Sequence, residues 1–285
     1  MRQAAEVHTG EKGAGHMTAL PEDLDLKRTM IANVVMIGKP GSGHWVLVDC
    51  GIAGFSRSIQ DAAEERFGSA PPKSIVLTHG HFDHVGSLEK LLEEWDVPVY
   101  AHELELPYVR GTQDYPEPDP AAGGGLMTAV SPLYPRHGLG LGGRVQPLPS
   151  DGHVPHLPEW RWIHTPGHTP GHISLFRERD RTVIAGDAFI TVKQESAWAV
   201  LTQEQEVHGP PVYFTPDWHA SKLSVRRLRE LDPALALTGH GVPMDGEALR
   251  KGLSTLAESF DEIAVPSHGR YAGDRHAAED KRPFV

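Results

Sequence analysis

The feature that most constrains this chain is the run THGHFDH at residues 78–84, which directly follows the short apolar run SIVL. Polar groups just past the end of a buried strand lie where open sheets place their functional sites. His79 and His81 can both reach one ion from a short loop, while Asp83 and His84 point toward a second. A solvent-exposed turn with incidental histidines is the alternative. Imidazoles this close would repel one another on protonation, which favours a shared cation.

A second histidine cluster, HTPGHTPGH, occupies residues 164–172 and places His164, His168 and His172 at every fourth position. Because its Pro-Gly pairs exclude a regular helix, the spacing indicates a rigid turn rather than a helical face. One or two of these histidines are enough to complete a metal site.

Two further polar residues follow apolar runs in the same way. Asp187 comes after VIAG and His240 comes after ALTG, so each lies just past a predicted strand and a glycine that permits close backbone approach. Taken separately, Asp187 is equally compatible with a turn and His240 with a surface imidazole. Each becomes informative when it is combined with the two histidine clusters.

The composition limits the classes of protein and of partner. At 285 residues the chain can form one large domain or two small ones. Its 38 acidic and 27 basic residues give a net charge of -11, which disfavours nucleic acid as a partner. The single cysteine, Cys50, allows no intrachain disulfide and no thiolate-rich site, so any metal must be held by nitrogen and oxygen. The 18 histidines can supply nitrogen donors.

The distribution of apolar residues predicts a protein without a membrane partner. No stretch approaches the roughly 18 consecutive apolar residues that a membrane span needs. The first 20 residues lack the apolar core of a secretory signal. A cytoplasmic location is therefore expected.

Hydrophobic periodicity predicts one folded domain over residues 27–262, between a flexible lead-in at 1–26 and a polar tail at 263–285. The segment 107–158 is rich in proline and glycine and is predicted to be a long loop insertion, either a lid or a substrate wall. A strand hairpin is predicted over 28–49. Helices are predicted over 55–67, 85–95, 221–231 and 247–260, and short strands over 74–78, 97–101, 160–164, 173–176, 182–185 and 234–238.

The complete order of motifs is H-x-H-x-D-H, a later histidine, an aspartate after glycine and a histidine after glycine. In this order the chain resembles the metallo-β-lactamase superfamily of metal-dependent hydrolases, from about Ile31 to Phe260. The resemblance implies an α+β fold, an αββα sandwich of two mixed sheets packed face to face with helices on the outside. It also implies two divalent metal ions, for which zinc is expected and iron or manganese are alternatives.

The resemblance further implies which residues hold these ions. The ligands of the first site would be His79, His81 and His168. Those of the second site would be Asp83, His84 and His240, with Asp187 bridging both sites. Asp49, at the end of HWVLVD, matches a family position that supports a ligand histidine, and a simple turn is its alternative.

For activity, the resemblance implies a binuclear hydrolase that uses a metal-bridging hydroxide, with Asp83 as the catalytic residue that orients the hydroxide or carries its proton. The substrate is expected to be a small-molecule ester, lactone or thioester, as in the lactonase-like and glyoxalase II-like branches. Lactonases of this superfamily carry a tyrosine where this chain has Ile190, so a phenol donor must come from elsewhere. The candidate substrate-pocket residues are Phe189, Lys193, Trp198, Tyr134 and Tyr213, of which the two tyrosines are the candidate phenol donors.

Two other chemistries on the same fold stay open at this stage. A mononuclear iron persulfide dioxygenase would use one metal held by His79, His81 and either Asp187 or His168, since these ligand types suit iron as well as zinc. A phosphodiesterase acting on nucleic acid is the other alternative, although the acidic balance disfavours it. The sequence also leaves a homodimer open.

Overall fold

Two six-stranded β-sheets pack face to face, and helices cover their outer faces. The structure, a computed structural model, describes residues 19–192 and 205–272. This arrangement of two mixed sheets between helices confirms the predicted αββα fold class. Within the two described ranges, no helix has the length and apolar character needed to cross a membrane.

The first sheet is built from the N-terminal half of the chain. Its strands are β1 (Leu24–Thr29), β2 (Ala32–Ile37), β3 (Val46–Val48), β4 (Ser74–Val76), β5 (Val99–Ala101) and β6 (Val145–Pro147). They follow chain order across the sheet, with β1, β2 and β3 antiparallel and β3 through β6 parallel. The antiparallel pair of β2 and β3 confirms the hairpin predicted over 28–49.

The second sheet is built from the C-terminal half. Its strands are β7 (His153–Val154), β8 (Leu157–His164), β9 (Ile173–Arg177), β10 (Thr182–Ile184), β11 (Leu235–Leu237) and β12 (Met244–Asp245). Neighbouring strands are antiparallel except for β10 and β11, which are parallel. Because parallel neighbours end at the same edge, residues that follow β10 and β11 lie close together.

The helices differ in length and in position relative to the sheets. They are α1 (Ser56–Phe67), α2 (Phe82–Val85), α3 (Leu88–Glu94), α4 (Leu106–Val109), α5 (Leu126–Ala129), α6 (Trp218–Glu230), α7 (Gly246–Glu258) and α8 (Phe260–Ile263). The single helix predicted over 85–95 is instead the short pair α2 and α3. The interruption includes Ser87, whose hydroxyl donates to the carbonyl of Ile52 and accepts from the N–H of Phe55.

The hydrophobic core consists of three layers. The central layer lies between the sheets and includes Val35, Val48, Ile173, Leu175 and Leu237. One outer layer packs the first sheet against α1 and α3, and the other packs the second sheet against α6 and α7. Both faces of each sheet are therefore covered, which explains why β2, β3, β9 and β10 are buried along their whole length.

Three predicted boundaries are corrected by the structure. β1 begins at Leu24, inside the predicted lead-in 1–26, and Leu24 is buried between the sheets. The segment 107–158 is more than a loop insertion, because it supplies β6, β7 and the start of β8. Val265 and Ala272 are buried although they belong to the predicted tail 263–285. β6 and β7 escape prediction because each has a single buried residue and therefore no apolar run.

We expect Leu175→Ala to lower the free energy of unfolding by about 2–5 kcal/mol, because it removes a fully buried side chain between the sheets. The matched control is Leu133→Ala, since the Leu133 side chain is 83% exposed. That control should change stability by less than about 0.5 kcal/mol. Urea unfolding followed by circular dichroism measures both variants, and equal losses would contradict the assigned core layers.

Candidate metal centre

Polar residues that follow strands of the two sheets meet at one edge of the sandwich. His79 follows the end of β4 in the first sheet, and Asp187 and His240 follow the parallel strands β10 and β11 in the second. Open sheets place their sites at such strand ends. His240 Nε2 lies 3.1 Å from Asp187 Oδ2 and 3.4 Å from Asp83 Oδ2, so the two sheets contribute to a single cluster.

All the residues predicted to be metal ligands are buried, with exposures from 0% for His79 and His84 to 6% for Asp83. They form overlapping groups in which the ligand atoms lie within 4.8 Å of one another. We call His79, His81 and His168 the first position, and Asp83, His84 and His240 the second position. A further group joins His79, His84 and Asp187. This is the geometry of two adjacent cation sites, and the role of each residue as a ligand stays a prediction.

The first position consists of three converging imidazole nitrogens. His79 Nε2 lies 3.1 Å from His81 Nδ1, and His81 Nδ1 lies 2.9 Å from His168 Nε2. Nitrogens that each bind zinc at 2.0–2.1 Å in a tetrahedral site are roughly 3.3 Å apart. The observed spacing therefore suits three nitrogens around one ion.

Asp187 lies between the two positions and contacts both. Its Oδ2 atom is 3.4 Å from His168 Nε2 of the first position and 3.1 Å from His240 Nε2 of the second. Its Oδ1 atom is 3.5 Å from His84 Nε2. The predicted bridging role requires this placement. A side chain at Gly239 would overlap Asp187 Oδ1, which explains the glycine before His240.

Asp49 orients two histidines of the centre. Its Oδ2 atom lies 2.9 Å from His84 Nδ1 and accepts a hydrogen bond of 2.7 Å from the Thr78 hydroxyl. The Thr78 N–H donates to Asp49 Oδ1 at 2.7 Å. Because the Thr78 hydroxyl donates its proton to Asp49, its oxygen is free to accept a hydrogen bond from His79 Nδ1, which lies 3.1 Å away. Both histidines then direct Nε2 into the centre, as outer partners of metal ligands do.

The other sheet orients its histidines in the same way. His168 Nδ1 lies 3.3 Å from the Thr215 hydroxyl, which itself donates to the carbonyl of Pro211. His240 Nδ1 lies 2.7 Å from the carbonyl of Ile31, which can only accept. Both contacts require a proton on Nδ1, so Nε2 is the nitrogen of each ring that faces the centre and could bind a cation.

Two buried atoms provide a direct test of whether the residues fit a cation. His84 Nε2 and Asp187 Oδ1 face each other at 3.5 Å, and neither makes a hydrogen bond to any other group among the residues that the structure describes. A buried polar atom without a partner is costly, and such atoms are rare in native proteins. Both atoms face the cluster of nitrogen and oxygen donors, so the residues present fit divalent cations.

The electrostatics of the cluster agree with this fit. Burial lowers the pKa of all the first-position imidazoles, that of His81 to about 3. In the second position burial also lowers the pKa, but Asp187 raises it for His84 and His240 above the ordinary value. Burial raises the pKa of Asp187, whereas those two histidines hold it well below its ordinary range. The first-position imidazoles are therefore neutral near pH 7 and offer lone pairs to a cation.

The two other histidines of the HTPGHTPGH turn lie outside the groups of ligand atoms. His172 Nε2 accepts a 2.8 Å hydrogen bond from the backbone N–H of Asp187, and its Nδ1 lies 3.1 Å from the carbonyl of Thr165. It therefore positions Asp187. The ring of His164 stacks on His102, with centroids 4.2 Å apart.

The candidate pocket residues have different outcomes. Phe189 is fully buried in the hydrophobic layer beneath α6 and α7, so its prediction as a pocket wall is wrong. Tyr134 is partly exposed and stacks on Phe82 at the start of α2, with ring centroids 5.2 Å apart. Tyr213 is 3% exposed and contacts the ring of Tyr134 at 6.0 Å. Lys193 and Trp198 lie outside the described residues.

Glu105 is a buried carboxylate that the sequence analysis missed. It is 0% exposed, and its oxygens accept hydrogen bonds from the backbone of Gly80 and Gly171 and from the hydroxyls of Thr169 and Tyr115. Burial raises the pKa of Glu105, while these donors act in the opposite direction. Its partners lie from 10 to 66 residues away along the chain, so no local pattern distinguishes it from the exposed Glu103.

Fold and centre together define an αββα protein that is built to bind divalent metal. A family model described as the metallo-beta-lactamase superfamily matches residues 28–240, and the chain belongs to this superfamily. The sequence-based resemblance is thereby confirmed.

Three known proteins illustrate the relationship. A protein named probable metallo-hydrolase YflN, from Bacillus subtilis (strain 168), is 52% identical over 235 residues, which cover 82% of this chain and 89% of that protein. Hydroxyacylglutathione hydrolase GloC of Haemophilus influenzae is 27% identical over 115 residues, which cover 40% of this chain and 49% of that protein. The crystal structure of TTHA1623 in a di-iron-bound form is 26% identical, has a TM-score of 0.52, and covers 82% of this chain and 96% of that one.

We expect removal of divalent ions with a chelator to lower the melting temperature, because an ion that binds only the folded protein stabilises it. At a free metal concentration of 100 times Kd, binding adds about 2.7 kcal/mol to the free energy of unfolding. Thermal unfolding with chelator, and again after zinc is restored, measures the effect. An unchanged melting temperature would contradict metal binding in the folded protein.

Proposed function

We propose that this protein is a metal-dependent hydrolase with two divalent ions, and that it cleaves an ester, lactone or thioester bond of a small molecule. The observation that carries the proposal is the buried cluster of imidazoles and carboxylates at the junction of the two sheets. Structural zinc sites are closed by four ligands, whereas catalytic sites keep an open position. Because Asp187 is shared, seven residues serve the two positions, one fewer than two closed four-residue sites would need, which favours a catalytic centre.

Zinc is the proposed metal, with iron or manganese as alternatives. The donors are all nitrogen and oxygen, a set that suits each of these ions. The di-iron form of TTHA1623 supports iron as the first alternative. When bound, two such ions lower the pKa of a coordinated water toward 7 and polarise a substrate carbonyl.

Asp83 is proposed to orient the attacking water and to accept its proton. Its carboxylate is 6% exposed and has Oδ2 3.4 Å from His240 Nε2, within the second position. A carboxylate in that place can hold a proton between the attack on the carbonyl and the departure of the alcohol or thiol. Asp187, which lies deeper, contacts histidines of both positions and serves to hold them.

Tyr134, rather than Tyr213, is proposed to donate its phenolic proton to the leaving group and to regain a proton from Asp83, which holds the one taken from the attacking water. The Tyr134 ring is partly exposed and stacks on Phe82, next to Asp83 in the chain. Burial and the charge of Asp83 both raise the pKa of Tyr134, so its phenol keeps its proton at neutral pH. Tyr213 is 3% exposed and thus less accessible to a substrate.

The aromatic residues beside the first position are proposed to exclude water from the reacting group. The ring of Phe214 lies 4.7 Å from His81, and Phe82 and Tyr134 pack against Phe214 at 6.3 and 6.0 Å. Water exclusion strengthens the electrostatic interactions on which hydrolysis depends. Tyr134 belongs to the segment 107–158, so the predicted substrate wall is retained as part of the proposal.

Two observations bear on the competing chemistries. GloC, whose name states that it hydrolyses hydroxyacylglutathione, a thioester, supports thioesters among the substrates. A mononuclear iron dioxygenase needs only one position, whereas the buried carboxylate and histidines of the second position are retained here. One iron per chain together with oxygen consumption on a persulfide would nevertheless favour the dioxygenase.

We expect Asp187→Ala to reduce the bound metal below two ions per chain. It should also lower kcat/KM by more than about 100-fold, because removing an outer partner of a metal ligand already costs up to about 100-fold and Asp187 is proposed as a ligand itself. Elemental analysis and hydrolysis of an ester, lactone and thioester panel measure the two effects. His153→Ala is the control, because His153 is an exposed histidine paired with Asp151 at the surface. Retention of both metals and of full hydrolysis by Asp187→Ala would show that Asp187 does not bridge.

We expect Tyr134→Phe to lower kcat by about 100-fold for esters with an alkyl alcohol, because general acid catalysis contributes at least that much. The loss should be much smaller for p-nitrophenyl esters, whose leaving group departs without a proton. Metal content should not change, and Tyr213→Phe serves as the matched control. Equal losses for both kinds of ester would argue against a proton donor at Tyr134.

A further inference from the structure

The two loops that carry the first-position histidines are joined by a residue outside the ligand set. Glu105 Oε1 accepts from the Thr169 hydroxyl at 2.6 Å and from the Gly171 N–H at 2.9 Å. Its Oε2 accepts from the Gly80 N–H at 3.1 Å and from the Tyr115 hydroxyl. Gly80 lies between His79 and His81, and Thr169 follows His168, so one carboxylate connects the backbones on which all the first-position ligands are carried.

Tyr115 reinforces this connection. Its hydroxyl lies 3.0 Å from the N–H of Gly80 as well as against Glu105, and its ring contacts His81 with centroids 4.5 Å apart. A side chain at Gly80 would overlap the Tyr115 hydroxyl, so the close approach depends on glycine. In the described part of the chain, none of the hydrogen bonds of the Glu105 carboxylate reaches the loop that carries His240.

The second position has a separate connection between the sheets. The Asn33 side chain, on β2 of the first sheet, donates from Nδ2 to the carbonyls of Thr238 at 2.9 Å and Gly241 at 2.7 Å. The Asn33 N–H donates to the carbonyl of Gly239 at 2.8 Å. These contacts flank His240 along the chain. His240 Nδ1 is held by the carbonyl of Ile31, in the turn between β1 and β2. Asn33 is 3% exposed.

We propose that the two metal positions are supported by separate positioning residues, Glu105 for the first position and Asn33 for the second. Loss of either support should then weaken one position more than the other, even though Asp187 contacts histidines of both. The first position offers three imidazoles and the second offers two imidazoles and a carboxylate, so the two can also differ in preferred metal. The inference rests on the binuclear centre of the proposed function.

Single-position backgrounds isolate each effect. His240→Ala leaves the first position intact, and His168→Ala leaves the second. Glu105→Gln and Asn33→Ala are introduced into both backgrounds, and the zinc Kd of each protein is measured by competition with a chromophoric chelator. Gln replaces one carboxylate oxygen by an NH2 group, which faces two donors instead of accepting from them.

We expect Glu105→Gln to weaken zinc binding about 10–100-fold at the first position and by less than about twofold at the second, as for outer partners of metal ligands. Asn33→Ala should show the reverse pattern. Arg177→Gln is the control for general loss of stability, because Arg177 is fully buried but pairs with Asp23 and Asp180. It should lower the melting temperature of the metal-free protein without changing either zinc affinity.

Equal weakening of both positions by either substitution, or weakening of neither, would overturn the inference. If a background variant does not fold, the same substitutions in the wild-type chain are titrated, and each must weaken one of the two zinc-binding steps and leave the other unchanged. These affinities do not depend on catalysis. Failure of the metal-loaded wild type to hydrolyse esters, lactones and thioesters would overturn the proposed function and leave the zinc affinities as a separate result.

Discussion

The structure depends on the burial of imidazoles and carboxylates against one another at the line where the two sheets meet. Burying charge without compensation is among the most costly events in folding. Here the compensation is incomplete within the protein, since His84 Nε2 and Asp187 Oδ1 have only each other, at 3.5 Å, and no other hydrogen-bond partner among the described residues. Cations between the donors would complete this compensation. The same buried donors would therefore both stabilise the fold, through the bound ions, and support the proposed chemistry.

Outward hydrogen bonds allow this cluster to exist at defined geometry. Asp49, Thr215 and the carbonyl of Ile31 each hold the Nδ1 side of a histidine, which leaves Nε2 facing inward. His172 holds the backbone of Asp187 in a similar way. Each of these Nδ1 partners can only accept a hydrogen bond from the imidazole, so each contact fixes a proton on Nδ1 of the ring. These outer contacts therefore hold the candidate ligand atoms close to a binding arrangement.

The sequence predicted the parts of the molecule whose chemistry is local. The run at 78–84, the order of the later histidines and aspartate, and the β2–β3 hairpin all carry short-range signals, and the αββα class followed from the resemblance that these motifs support. β6, β7 and β12 escaped prediction because each has a single buried residue and thus no apolar run, whereas the equally short β4 and β10 are buried throughout. Phe189 was misassigned because its place in the chain, next to Asp187, does not reveal that its side chain points into the helical layer.

Positioning residues were the least predictable part of the site. Glu105 and Asn33 act through partners that are distant in sequence, 64 residues for Thr169 and 205 for Thr238. Their side-chain types, an acid after a strand and an amide within one, are also common on protein surfaces. Their roles depend on how the loops of two sheets meet, and that information exists only in three dimensions.

The most direct measurement of the central claim is an anomalous difference map from crystals of the protein loaded with zinc. The account predicts two peaks about 3.5–4 Å apart. One peak should lie among His79, His81 and His168, the other among Asp83, His84 and His240, with Asp187 between them. A single peak, or peaks outside these residues, would contradict a binuclear centre at the junction of the sheets.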